Sequence, residues 1–146
     1  MTKESSDIAR GVTRWIFKSI VYTMIFGLAL FAPSNDWRWL MGWVYLAIYI
    51  INQVILALIL PRDLLAERSK PQEGSKGWDI VLASVAALLM PLAVYIVAGF
   101  DHAKGWSKTF PSVMQVVALL VMVGGIALSD WAMAANKFFS GVIRIQ

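Results

Sequence analysis

The sequence has no cysteine and one histidine, His102. The first absence excludes disulfides, thiolate metal sites and cysteine nucleophiles, and the second excludes a site built from several histidines. No G-x-G-x-x-G loop, P-loop or G-x-S-x-G elbow occurs, which removes the commonest signatures of dinucleotide, nucleotide and serine-hydrolase chemistry. Charge is scarce, at 15% of residues against 59% hydrophobic. A soluble domain of 146 residues does not need so apolar a composition. The net charge of +4 is spread around apolar runs rather than gathered on one polar face. That pattern argues against nucleic acid as a partner and for a lipid bilayer.

What is present is a set of four long apolar runs, at about 16–32, 40–60, 80–100 and 111–131. A hydrocarbon core of roughly 30 Å needs about 20 helical residues to cross it, so the last three read as transmembrane helices. The first is shorter and contains Lys18, but "LALFAPS" offers no small-x-small cleavage pattern and three more spans follow. It reads as a spanning helix whose ammonium snorkels to the interface, not as a cleaved signal peptide. Trp15, Trp37, Trp39, Trp78 and Trp131 flank the runs as an aromatic belt. Of the Lys and Arg residues, ten fall in the N-terminus, the 61–79 loop and the tail, against Arg38, Lys104 and Lys108 on the other side.

The expected fold is therefore an all-α integral membrane protein: a four-helix transmembrane bundle, N-in and C-in by the positive-inside rule. Residues 1–14 are expected to be a cytoplasmic N-terminus, 15–139 the bundle, and 140–146 the start of a further connection. Within the cytoplasmic loop, Leu64, Leu65 and Ala66 are expected to face lipid headgroups on a short interfacial helix, before Pro71 and Gly74 break the pattern.

A few polar or irregular residues stand out in this apolar background. Asn52 and Gln53, mid-span, must face protein or water, because an unpaired amide costs several kcal/mol in hydrocarbon; interhelical hydrogen bonds are the expected use. Pro91 should kink the third span by removing the donor for the Ala87 carbonyl. Ala83 with Ala87, and Gly125 with Ser129, are spaced for close helix approach. Asp130 is expected on a charged face leaving the bilayer, and His102 as a solvated loop residue.

Two stretches are more specific than any single residue: "LLAERSKPQEGSKGWD", Leu64 to Asp79, and "WAMAANKFFSGVIRIQ", Trp131 to Gln146. Together, with the order of spans, they resemble the prokaryotic isoprenylcysteine carboxyl methyltransferase family, which is related to the phospholipid methyltransferases. The resemblance covers most of the chain from the second span onward. It rests on a Leu-Leu-x-Glu-Arg loop and an Asn-x-Phe-Phe-Ser signature, with Lys137 standing where a neutral residue is the family's pattern. It implies a multi-pass enzyme of the prokaryotic cytoplasmic membrane that moves a methyl group from S-adenosylmethionine to a lipophilic acceptor. The family's cofactor-binding segment, with its Arg-His-Pro motif, follows the signature and does not occur in this sequence, so the chain is expected to be the N-terminal membrane half, inactive alone. On that resemblance Asn136, Phe139, Ser140 and Arg144 are the candidate substrate-entrance residues. A small four-span transporter, or a non-catalytic membrane scaffold, remains open beside it. The oligomeric state is open too.

Overall fold

The computed structural model describes residues 3–69 and 77–135. Its described residues are almost entirely helical: α1 (Lys3–Ser34), α2 (Leu40–Ile59), α3 (Arg62–Arg68), α4 (Gly77–Ser84), a π-helical turn (Val85–Leu89), α5 (Met90–Lys104) and α6 (Ser112–Ala135). Because α4, the π turn and α5 run on as one rod, four helices are long and apolar enough to cross a membrane. The protein is thus a multi-pass, all-helical membrane protein.

Local chemistry sets the ends of these helices. Asn35 adopts a left-handed backbone, φ 51°, and its N–H donates to the Phe31 carbonyl at 3.1 Å, closing α1. Leu60 is extended, φ −85° and ψ 138°, as the residue before Pro61 must be, so α2 stops there. Gly105, at φ 68°, caps α5 in the left-handed region that glycine enters without a Cβ penalty. Asp63 in the first turn of α3 and Arg68 in its last complement the helix dipole.

The third span meets Pro91 differently from the expected simple kink. The Met90 N–H bonds the Val85 carbonyl, five residues back. One extra residue in this turn carries the preceding carbonyls away from the proline ring, which is how a π turn absorbs a mid-helix proline.

Packing is centred on α1, which lies against α5 and α3 and more lightly against α2, while α6 joins the bundle through α2. One core cluster gathers Phe26, Leu30, Phe31 and Tyr95; a second gathers Leu56, Leu60, Leu65 and Met133, with Val12, Trp15 and Leu64 beside it. The helix α3 does not lie with its apolar residues outward. Leu65 and Ala66 are buried against the bundle, because Ala66 sits on Gly11 of α1, where no Cβ would fit. The Lys18 ammonium donates to the Ser69 carbonyl at 2.9 Å and so ties α1 to the end of α3.

Close helix approach also falls elsewhere than the small-residue spacing suggested. Gly125 faces open space, whereas Gly99 of α5 meets the backbone of α1 at the Leu30 carbonyl, with Pro33 Cβ 3.2 Å from where a Cβ would stand. Gly99→Val is therefore expected to push α5 off α1 and to cost about 2 kcal/mol, in the range of overpacked cores. Gly125→Val is expected to change stability by a few tenths of a kcal/mol, and denaturant titration of both variants in one detergent measures the contrast.

Candidate functional site

Two regions gather polar groups, one at each end of the bundle. At the α3 end, Met133 of α6 packs into the cluster with Leu56, Leu60 and Leu65. Asp130, one turn earlier on α6, is 6% exposed and interacts electrostatically with Arg68 of α3. It therefore faces protein, not solvent, which corrects the expected charged exit face: α3 folds back against the bundle and its last residue offers Asp130 a cation. Burial lowers the affinity of the Arg68 guanidinium for its proton, and the charges of Asp130 and Glu67 oppose that. A groove of about 840 Å³ lies beside this junction, between the start of α1 and α3, lined by Ser5, Trp15, Arg62 and Asp63 among others.

Mid-bundle, the Ser19 hydroxyl donates to Gln53 Oε1 at 3.4 Å, an α1–α2 hydrogen bond of the expected kind. Asn52 Oδ1 is buried with no hydrogen-bond partner among the described residues.

The opposite end carries the α1–α2 and α5–α6 loops. Here His102 is a placed residue, in the last turn of α5. Its imidazole stacks on Trp39, ring centres 4.4 Å apart and planes 12° apart. Its Nε2–H donates to Asp36 Oδ2 at 3.0 Å. The expectation of a solvated loop histidine is wrong, because α5 continues as helix beyond Phe100 and brings His102 over Trp39. Next to it, the Ser107 backbone N–H donates to Asp101 Oδ1 at 2.8 Å and the Ser107 hydroxyl donates to Asp101 Oδ2. Both oxygens of Asp101 are thus engaged within its own loop.

Below these groups opens a cavity of about 760 Å³ between α2, α5 and α6. Tyr45, Val94, Tyr95, Leu119 and Met122 line its depth; Trp39, Asp101, His102, Lys108 and Gln115 line its rim. Sequence reasoning missed this end. The available signal was topological: an acid in one short loop and the only histidine at the edge of the other, both on the same side of four spans.

The hydrogen bond from His102, and next that from the Arg38 N–H, hold the Asp36 carboxyl below the usual carboxylate range. A depressed acid contributes stability that is full above its unfolded value and is lost as pH falls through its folded one. Melting temperature is accordingly expected to fall as pH drops below about 4, and Asp36→Asn is expected to flatten that acid limb.

The candidate entrance residues Asn136, Phe139, Ser140 and Arg144 lie outside the described residues. Among the described residues no cluster of metal-ligating side chains forms. Nor does the rim of the cavity fit S-adenosylmethionine. The lining carboxylate, Asp101, already accepts from the Ser107 N–H and hydroxyl, and Lys108 opposes a sulfonium. No family model, curated protein or solved structure matches the chain.

Proposed function

We propose that the chain is the membrane-embedded N-terminal part of an S-adenosylmethionine-dependent methyltransferase that acts on a lipophilic acceptor, an isoprenylcysteine carboxylate or a related amphiphile. One observation carries the reading. The two stretches that resemble the methyltransferase family, far apart in sequence, meet at one end of the bundle: Leu65 of the first shares a buried cluster with Met133 of the second, Leu64 packs against that cluster, and Arg68 interacts electrostatically with Asp130 just before it. Such convergence is what a site assembled from a loop and the end of a span requires, since methyl transfer from a sulfonium is chiefly a matter of orienting two reactants and excluding water. In this reading the α3 end is cytoplasmic, with both termini inside a prokaryotic cytoplasmic membrane, α3 at the interface and S-adenosylmethionine bound by a segment beyond Gln146.

The test is methyl transfer by membranes that carry the native gene product, supplied with methyl-labelled S-adenosylmethionine and an S-prenylated cysteine with a free carboxyl. Base-labile label in the organic phase, above control membranes, is the expected result. Label absent with both this acceptor and a phospholipid would overturn the reading. Orientation has a separate readout, because the chain has no cysteine of its own: Thr109→Cys is expected to react with an impermeant maleimide on intact cells, and Ser6→Cys only after lysis.

A further inference from the structure

We propose that the cavity between α2, α5 and α6 binds one anionic phospholipid, with its phosphodiester at the Lys108 rim and an acyl chain along Tyr45, Tyr95 and Met122. This site lies at the opposite end of the bundle from the α3 junction and does not depend on the methyl-transfer reading.

The shape of the cavity comes from how α6 is held. The buried residues of α6 are Asp130 and Met133, both near its end. Along its preceding turns no residue of α6 is fully buried, and Leu119, Met122 and Ile126 are only half-buried, so the helix is anchored at one end and packs loosely at the other. The seam that results lies between apolar spans, which lipid surrounds in a membrane. Its volume of about 760 Å³ falls among those of pockets that enclose a small-molecule ligand, roughly 300–1,000 Å³.

Charge decides the kind of occupant. Near the rim, Asp36 is engaged by His102 and by the Arg38 N–H, and Asp101 by Ser107 through both oxygens. Lys108, whose side chain lies across Gly105 where a Cβ would collide with it, has no acidic partner among the described residues. Gln115 adds an amide donor beside it. Ser107 is neutral and Asp101 keeps its charge, but both Asp101 oxygens are turned to Ser107, and Lys108 is a rim cation that no carboxylate meets within ion-pair distance among the described residues, above an apolar slot. A phosphodiester supplies the missing oxygens, and its acyl chain fills the slot. Free phosphate would leave the apolar depth empty, and an uncharged helix of another protein would leave Lys108 unmatched.

Native mass spectrometry of the purified full chain tests this after equilibration with equal phosphatidylglycerol and phosphatidylcholine. One phosphatidylglycerol is expected to be retained, with a preference of about tenfold over phosphatidylcholine, equivalent to 1.4 kcal/mol. Lys108→Gln is expected to abolish the preference while leaving residual binding of either lipid. Met122→Trp, which fills the slot, is expected to remove retention of both, with circular dichroism and a single gel-filtration peak confirming that the variant is folded. Equal retention of the two lipids by the wild-type chain would overturn the proposal, as would an unchanged preference in Lys108→Gln. Displacement by free oleate at equal concentration would overturn the phosphodiester assignment in favour of a carboxylate.

Discussion

Replacing Arg68 with methionine is expected to cost about 3 kcal/mol, because it removes the cation that faces a buried carboxylate. Asp130 is 6% exposed, and among the described residues Arg68 is the one charge acting on it. Arg68, by contrast, also feels Glu67. The cost should therefore be asymmetric: Asp130→Leu leaves Arg68 with a second acid and is expected to cost less than Arg68→Met. The double variant Arg68→Met, Asp130→Leu should recover most of the loss, since an apolar pair of similar volume carries no desolvation penalty. A thermodynamic cycle in detergent measures the coupling. A coupling below about 0.5 kcal/mol would show that the two groups are independent. In the proposed enzyme the same variants would also unfasten the end of α6 from α3, so methyl transfer should fall with stability in Arg68→Met and return in the double variant.

The four spans were legible because each is a run of about twenty residues with few charges or none, and length against bilayer thickness leaves few alternatives. What surrounds them was less so. The first helix starts at Lys3, well before the apolar run at Ile16, because α3 folds back over Gly11 and gives that polar segment a neighbour. No local pattern announces a contact of that kind. Likewise Pro91 marked an irregularity, but whether a proline produces a broken bond or a π turn depends on how the rod packs, and here α5, which follows the π turn, lies against α1.

At the sites, sequence reasoning succeeded in saying that a mid-span amide needs a partner from another helix and failed where the identity of the partner decided the outcome. Gln53 needed a partner and found Ser19. Asp130 also needed a partner, yet solvent was the expected one, because nothing in its own helix shows Arg68 arriving from the end of α3. His102 and Asp36 are separated by 66 positions. Their pairing follows from two short loops closing the same end of the bundle, and from Trp39 providing a flat surface for the imidazole. The family resemblance pointed to the tail, whereas the apolar cavity with a polar rim lies at the other end.

Phe31→Ala is expected to be the most damaging single change in the described core, at about 4 kcal/mol. Phe31 is 1% exposed. Its ring stacks on Trp37 at 5.2 Å, tilts against Trp43 at 4.7 Å and meets Trp39 edge-on at 6.4 Å. Removing it opens a void at the turn that carries Asp36, where α1 ends and α2 begins. Trp43 is also held by its indole N–H, which donates to the Trp37 carbonyl at 2.8 Å, so the loop cannot collapse freely to fill the space, and the cavity penalty adds to the lost transfer energy. The Trp39 indole N–H makes no such hydrogen bond among the described residues and the ring should shift, taking with it the surface on which His102 stacks. Phe31→Ala is accordingly expected to flatten the acid limb of stability that Asp36 provides, although residue 31 has no ionisable group. Phe31→Leu, which keeps most of the volume, should cost less and retain that limb. Melting curves of the three proteins across pH 3–7 compare the two effects directly; an Ala variant with an unchanged acid limb would show that Trp39 and His102 hold their places without Phe31.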